Sequence, residues 1–185
     1  MGAGSWWDKR MRRSVLTVAF GLMLVFGPVA GQAERPHSPL KFFEGRTVGQ
    51  SIVKITMRKA YASRTIGNGQ ITSDGTLYLV QQVEEEGRKG FQRTWRVKQV
   101  GPGRFTGIMS EAVGPVSVDE VGNRYRFRFR LKGSVSVEQW LTPLPDGVSA
   151  KSEMTVRKYG MVVGRSSGTI KRATRLSAGP LAPPH

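Results

Sequence analysis

Residues 124–132 alternate between two kinds of side chain, and this run constrains the fold more than any other part of the chain. The even positions are cationic: Arg124, Arg126, Arg128, Arg130 and Lys132. The odd positions are aromatic or apolar: Tyr125, Phe127, Phe129 and Leu131. A period of two places successive side chains on opposite faces of a β-strand. The run therefore predicts a strand with one face directed to a core and one cationic face.

Glycine-rich turn signals divide the remaining chain into short segments rich in Val, Ile, Thr, Tyr, Phe and Trp, which predicts an all-β domain of sequential hairpins. With the run above, we expect roughly nine or ten strands. A meander of this length avoids exposed edges best by closing on itself, so a single antiparallel barrel is favoured over an open sheet. The other predicted strands are 51–57, 61–71, 76–84, 91–100, 104–111, 135–141, 148–157 and 161–170.

The N-terminus has the three-part layout of a secretory signal peptide. Basic residues from Lys9 to Arg13 precede an apolar run at 15–26 and the small-residue site Gly31-Gln32-Ala33. Because the apolar run is shorter than the ~20 residues that span a bilayer, a cleaved signal is favoured over an uncleaved anchor. We predict cleavage after Ala33, which makes the protein periplasmic. Met11 is an alternative start, and residues 1–10 would then be an extension.

The domain boundaries follow from this interpretation and from the prolines near both ends. We predict a signal peptide at 1–33, a linker at 34–41, a β-barrel domain at 42–175 and a disordered, Pro-rich tail at 176–185. After cleavage no segment is apolar enough to cross a membrane, and the absence of cysteine excludes a lipid-modified N-terminus.

Residue counts also limit the chemistry. The chain has no Cys and two His, His37 and His185, which lie in the predicted linker and tail. This excludes disulfides and thiolate metal sites and leaves no histidine in the domain for catalysis. We therefore expect no cofactor, no metal and no enzymatic activity. Glu111 and Glu138 could do acid–base chemistry without histidine, and the alternative is that each pairs with an arginine.

Aromatic side chains recur in the predicted strands, and two interpretations stay open. They fill an ordinary core, or they line a lumen that accepts an acyl chain. The candidate lumen residues, with the two carboxylates, are Trp95, Phe105, Glu111, Tyr125, Phe127, Phe129, Glu138 and Trp140.

The cationic row of residues 124–132 has three interpretations. It is a solvated outer face, a surface that binds anionic lipid headgroups or envelope polymers, or the lining of a lumen that holds a carboxylate or phosphate. The net charge of +16 supports a positive field at the surface. Nucleic acid is not expected as a physiological partner, because the signal peptide predicts export from the cytoplasm.

Short segments spread over Phe42 to Arg172 match the pattern of one known family in order and spacing. They are Phe42-Phe43-Glu44-Gly45-Arg46 with Gly49, Arg93-Thr94-Trp95-Arg96, Gly103-Arg104-Phe105-Thr106-Gly107, Glu111-Ala112-Val113-Gly114, Gly122-Asn123, Trp140-Leu141, Lys158-Tyr159-Gly160-Met161 and Val163-Gly164. On these segments the chain resembles the DUF3833 family of exported bacterial proteins. The resemblance implies a lipocalin-like barrel in the cell envelope, and the family's frequent gene neighbourhood with fatty-acid modification hints at a lipid ligand. Many members are lipoproteins, whereas the lipobox Cys is absent here.

These observations predict a non-catalytic periplasmic protein that binds a hydrophobic or lipid ligand. The alternative is a structural or interaction protein that docks on anionic envelope lipids or polymers through its basic surface. A carrier needs an apolar cavity, whereas a docking protein needs only a cationic exterior, so the interior of the barrel separates the two hypotheses.

Overall fold

A computed structural model describes residues 38–173 of the 185-residue chain. This part forms one short helix and ten antiparallel strands that close into a barrel in sequential order. The elements are α1 (Pro39–Phe42), β1 (Gly45–Ile55), β2 (Tyr61–Ile71), β3 (Leu77–Glu85), β4 (Phe91–Gly101), β5 (Arg104–Met109), β6 (Val116–Val121), β7 (Arg124–Leu131), β8 (Val135–Pro143), β9 (Ser149–Lys158) and β10 (Met161–Arg172).

Pairing between the first and last strands closes the barrel. β1 bonds to β10 along a continuous ladder from Thr47 opposite Arg172 to Ile55 opposite Gly164. Every other neighbour is a hairpin partner next in sequence, so the topology is a pure meander. Closure leaves no unpaired strand edge, which satisfies the backbone hydrogen-bonding groups of both terminal strands. The all-β, lipocalin-like antiparallel barrel expected from the sequence is thus confirmed.

The alternation predicted for β7 is also confirmed. Tyr125, Phe127 and Phe129 are buried in the core, whereas Arg128 and Arg130 on the opposite face are exposed. The aromatic face packs with buried residues of β3 to β6 and β8, including Leu79, Val97, Phe105, Val118 and Leu141. Trp95 meets Phe129 edge-on, with ring centroids 5.6 Å apart. Aromatic side chains therefore fill the half of the barrel interior that these strands enclose.

Three boundaries differ from those expected. β6 was not predicted, because Asp119 and Glu120 interrupt the apolar character of a six-residue segment that follows Gly114 and Pro115. β1 begins at Gly45 rather than at residue 51, because its inward positions are small or polar rather than apolar. The predicted linker 34–41 is also wrong over its last residues. Pro39 and Leu40 belong to α1 and are buried.

The helix α1 closes one end of the barrel. Ser38 caps it by accepting a hydrogen bond from the backbone N–H of Leu40 at 3.3 Å, and Pro39 occupies the first turn, where its missing N–H is not needed. Leu40, Phe42 and Phe43 are buried in the core cluster, so this end is plugged by apolar side chains.

The predicted signal peptide, the start of the linker and the predicted tail lie outside the described residues. Within 38–173, no helix is long and apolar enough to cross a membrane.

Candidate functional site

A cavity of about 350 Å³ lies inside the barrel, beneath α1. One of its walls is apolar, formed by Leu79, Val97, Phe127, Met154 and similar residues of β3, β4, β7 and β9. The opposite wall consists of the inward side chains of β1, β2 and β10, which are mostly small or polar. The cavity is therefore off-centre, displaced toward the strands that close the barrel.

Side-chain size explains this position. The inward positions of β7 hold three aromatic rings, whereas about half of the inward positions of the closing strands hold glycine, serine or threonine. Protein interiors otherwise pack without voids larger than a water molecule, so a cavity requires such a local deficit of side-chain volume. The small inward residues are Thr47, Gly49 and Ser51 on β1, Ser63, Thr65 and Gly67 on β2, and Ser166 and Gly168 on β10.

Two hydrogen bonds fix polar side chains in the cavity wall. The indole Nε1 of Trp95 donates to Oε1 of Gln81 at 2.7 Å, and Nε2 of Gln139 donates to Oγ of Ser152 at 2.8 Å. Each bond satisfies one donor and one acceptor, and Gln81 and Gln139 both line the cavity, so their amides add polar groups to its wall. The cavity lining is thus amphipathic rather than uniformly apolar.

The end of the cavity opposite α1 carries ionised side chains. Arg93, which lines the cavity, donates from Nε to Glu111 Oε2 at 2.8 Å and from Nη2 to Glu111 Oε1 at 3.2 Å. This bidentate pair is held between β4 and the loop after β5, and it orients the guanidinium at the rim. We call this end the mouth.

A second charged group lies beside the first, in the hairpin between β3 and β4. Arg88 Nη1 lies 2.8 Å from Glu85 Oε2 and donates to the hydroxyl of Tyr61 at 3.2 Å, while its guanidinium stacks 4.6 Å from the Tyr61 ring centroid. Partial burial raises the pKa of the Tyr61 phenol above its usual value, and the nearby Glu85 carboxylate acts in the same direction. Tyr61 is therefore a neutral hydroxyl at the cavity mouth at ordinary pH.

The structure separates the eight residues expected to line a lumen. Trp95 and Phe127 line the cavity. Phe105, Tyr125 and Phe129 are buried in the core but lie outside the cavity lining. Glu111 reaches the mouth only through its pair with Arg93.

Glu138 and Trp140 need a correction, because both lie on the outer face of β8. Their register partners are the outward-facing Arg128 and Arg126, and Trp140 Nε1 donates to Glu138 Oε1 at 3.2 Å. Residues opposite each other on neighbouring strands share a face. Glu138 and Glu111 therefore do not form a carboxylate pair in one site.

Most cavity residues are not aromatic, so the aromatic pattern of the sequence did not identify them. The signal present in the sequence is the alternation of small and larger residues in Thr47–Val53 and Ser63–Gly67, where the odd positions face inward. Small inward residues on neighbouring strands mark unfilled volume once closure of the barrel is known.

The cationic row of β7 faces outward, which excludes the interpretation in which it lines the lumen. Acidic residues of β6 and β9 compensate much of it. Asp119 Oδ2 lies 2.8 Å from Arg128 Nη2 and 3.7 Å from Arg126 Nη2, and Glu153 Oε2 lies 3.4 Å from Arg124 Nη2.

Aromatic stacking also holds this row in place. The guanidinium of Arg124 stacks 4.4 Å from the ring centroid of Trp140, and that of Arg126 lies 5.6 Å from it. Over most of its length the row is therefore a structured, partly neutralised sheet surface. Within the described residues, no group of three or more acidic or histidine side chains is placed to hold a metal ion.

No protein-family model matches the chain, and the search of curated proteins found no match. Solved structures do match. An S-type phycobiliprotein lyase from Guillardia theta superimposes with a TM-score of 0.60 at 5% identity, over 73% of this chain and 90% of the lyase. A protein of unknown function from the DUF3598 family of Nostoc punctiforme gives a TM-score of 0.54 at 15% identity, over 75% of this chain and 51% of that one.

Rv2717c from M. tuberculosis is also similar, with a TM-score of 0.54 and 12% identity over 74% of this chain and 99% of its own. The chain thus spans about half the length of the Nostoc protein and nearly all of the other two. At these identities the likeness establishes a shared barrel fold and nothing about ligands. The resemblance to the DUF3833 family stays a prediction.

Proposed function

We propose that this protein is a non-catalytic, periplasmic binding protein that holds a hydrophobic or lipid ligand inside its barrel. The observation that carries the proposal is the cavity of about 350 Å³ with a continuous apolar wall. Small-molecule sites have volumes of about 300–1,000 Å³ and are lined mainly by apolar side chains with a few placed polar groups. The cavity matches this description in volume and in lining.

The polarity of the cavity favours an amphipathic ligand. Apolar residues line its depth beneath α1, and Arg93, Glu85 and Tyr61 lie at the mouth. An apolar chain in the interior buries its surface against Leu79 and Phe127, while a polar or acidic group stays near Arg93. A fatty acid or a lipid with one small headgroup fits this arrangement.

A ligand that binds only the folded state stabilises it, so thermal melting is the direct test. At a concentration one hundred times Kd the gain is about 2.7 kcal/mol, which raises the Tm of a domain of this size by about 5–10 °C. We expect this shift with fatty acids of suitable length, and we expect it to persist at 1 M salt, where the Debye length falls to ~3 Å. No shift with any acyl ligand would refute the proposal.

A matched pair of variants locates the binding site. Ser63 faces the cavity, and its neighbour Ala62 lies on the exposed face of the same strand. Ser63→Leu fills part of the cavity and is expected to abolish the ligand-induced shift while leaving the unliganded barrel folded. Ala62→Leu adds a side chain of the same size outside and is expected to keep the full shift. Equal ligand shifts in both variants would exclude the cavity as the binding site.

The location is tested separately. N-terminal sequencing of the protein recovered from the periplasmic fraction is expected to begin at Glu34. Recovery of a chain that still contains the apolar run 15–26 would contradict the predicted cleavage.

The alternative function, docking on anionic envelope lipids or polymers, has weak support at β7 because Asp119 and Glu153 already pair with the arginines there. Stronger support comes from exposed side chains at the mouth of the barrel.

A further inference from the structure

Two hairpin turns lie side by side at the mouth of the barrel. The turn between β1 and β2 spans 56–60, and the turn between β9 and β10 consists of Tyr159 and Gly160. They are neighbours because β1 pairs with β10, with Ile55 opposite Gly164 and the backbone N–H of Thr56 donating to the carbonyl of Val163 at 2.9 Å. Ile55 and Val163 also line the cavity, so these tips form part of its rim.

Large apolar side chains project from both tips. Met57 is 99% exposed, Tyr159 is 72% exposed and Met161 is 67% exposed. These are the three highest exposures among the large hydrophobic residues of 38–173. Removing so much apolar surface from water would release free energy. The Lys158 amino group lies 5.7 Å from the centroid of the Tyr159 ring, and that ring still stays largely exposed. We call Met57, Tyr159 and Met161 the apolar tips.

The backbone holds the first two of these side chains outward in an unfavourable conformation. Met57 has φ of +62° and Tyr159 has φ of +51°, both in the left-handed region. Turns of this kind normally place Gly, Asn or Asp at such positions, because a side chain with a Cβ is strained there. The chain therefore tolerates strain at two adjacent tips and gains no buried contact in return, which points to a role outside the fold.

The two sequence segments that carry the tips have charge of one sign, and the nearest acidic side chains, Glu85 and Glu86, belong to the neighbouring hairpin of β3 and β4. Residues 54–59 and 157–165 contain six basic and no acidic side chains: Lys54, Arg58, Lys59, Arg157, Lys158 and Arg165. None of the six forms a salt bridge with another residue of 38–173. The arginines of β7, in contrast, are largely paired. Six cations that form no salt bridge within 38–173 therefore lie on the strands and turns that carry the apolar tips.

We propose that the apolar tips and the six surrounding cations dock the barrel onto the surface of an anionic lipid bilayer. Met57, Tyr159 and Met161 enter the boundary between headgroups and acyl chains, a depth that suits a tyrosine with one apolar and one polar end. The basic side chains contact lipid phosphates. This orientation turns the mouth of the cavity toward the membrane.

The inference goes beyond ligand binding, because docking depends on the rim and not on what the cavity holds. A protein partner would need shape complementarity over a broad patch, whereas two narrow tips flanked by cations that form no salt bridge suit a fluid, negatively charged surface. Ligand binding in the cavity and docking of the tips can therefore be tested separately, and either can be refuted without the other. Ser63→Leu is expected to lose ligand and keep docking, and variants of the tips are expected to lose docking and keep ligand.

Flotation with lipid vesicles tests the docking. The chain beginning at Glu34 is used, so that the apolar run 15–26 does not itself insert, and the closed barrel and its core lie wholly within 38–173. We expect binding to vesicles of phosphatidylglycerol and phosphatidylethanolamine, and little binding to phosphatidylcholine. The variant Met57→Asn/Tyr159→Asn/Met161→Ser is expected to lower the partition coefficient at least tenfold. Asn is chosen because it tolerates the left-handed region, so this variant is expected to melt no lower than the wild type.

Charge reversal provides the second arm. Each cation removed near the membrane is expected to lower the partition coefficient about fivefold, so Arg58→Glu/Lys59→Glu should abolish binding. Lys98→Glu/Arg104→Glu is the matched control, because these exposed cations lie toward the end of the barrel that α1 closes. Ile108→Ser, at a side chain that is 55% exposed on the outer wall, is the apolar control. Both controls are expected to keep wild-type binding.

A direct probe of insertion completes the test. Met57→Trp is expected to shift its fluorescence to shorter wavelength with phosphatidylglycerol vesicles, and Ile108→Trp is not. Several results would overturn the proposal: no binding by the wild type, equal binding to phosphatidylcholine, loss of binding in the controls but not in the tip variants, or a tip-dependent dimer seen by sedimentation without vesicles.

Discussion

Truncation of two neighbouring rings on β7 tests which half of the barrel is fully packed and which half contains the cavity. Phe129 is 6% exposed, lies outside the cavity lining and contacts Trp95 edge-on. Phe127 is 8% exposed but forms part of the cavity wall, and its ring meets that of Phe43 edge-on, with centroids 6.5 Å apart. We expect Phe129→Ala to destabilise the barrel more than Phe127→Ala does.

The magnitudes follow from the packing. Truncation of a buried Phe to Ala costs about 3–5 kcal/mol, and the cost rises with the volume of the new void. Each truncation removes one edge-on aromatic pair worth about 0.5–1.5 kcal/mol, and the pair of Phe129 is the closer one, at 5.6 Å rather than 6.5 Å. Phe129 also lies outside the cavity lining, so its truncation should fall near the upper limit. Phe127 already borders empty volume and has fewer contacts to lose, so it should fall near the lower limit. A difference of about 1 kcal/mol is expected.

Urea denaturation of the two variants and of Arg130→Ala provides the measurement. With a slope of about 1–3 kcal/mol per molar, the two Phe variants should differ in midpoint by roughly 0.3–1 M. Arg130 is exposed and forms no ion pair within 38–173, so its truncation should change stability by no more than about 0.5 kcal/mol. Equal losses for Phe127 and Phe129 would refute the position of the cavity, and a large loss at Arg130 would refute the orientation of the strand.

Two further predictions concern turns and strand glycines. A Cβ on Gly107 would overlap the backbone of β4, whereas one on Gly49 would meet only ordinary contacts, so Gly107→Ala should cost about 1–3 kcal/mol in denaturation and Gly49→Ala much less. Hydrogen bonds from Thr72 and Thr76 lower the pKa of Asp74. The stability that this carboxylate adds is therefore present above its ordinary pKa of about 4 and is lost as the pH falls through the lowered folded value. Asp74→Asn should have a lower free energy of unfolding than the wild type at pH 7. If this difference does not narrow as the pH is lowered, the Asp74 carboxylate is not the stabilising group.

Local sequence pattern was enough to predict most of the strands and the two faces of β7. β7 was predicted correctly because its alternation is unbroken and needs no partner to be interpreted. The hairpin turns were predicted for a similar reason. A tight turn requires a positive φ, which Gly103 and Gly122 adopt, and this requirement involves only a few adjacent residues. β6 was missed where charged residues at its end weakened the pattern.

The candidate site was predicted only in part, because the lining of a lumen depends on which side chains face each other across it. Trp95 and Phe127 were identified from their aromatic character and do line the cavity. Trp140 has the same character and the same strand context, but the register of β8 against β7 turns it outward onto Arg126. A shift of one residue in strand register moves a side chain to the other face of the sheet, and no local sequence pattern specifies that register.

The sequence by itself determined that this chain forms a meander of antiparallel strands with an aromatic core, because hydrophobic period and turn chemistry act between near neighbours. Only the tertiary structure decided where the empty volume and the uncompensated charge lie. Pairing of β1 with β10 joins opposite ends of the domain, placing small inward residues from three strands on one wall and the tips at Met57 and Tyr159 on one rim. Both features arise from contacts between residues about one hundred positions apart, and closure of the barrel is what brings them together.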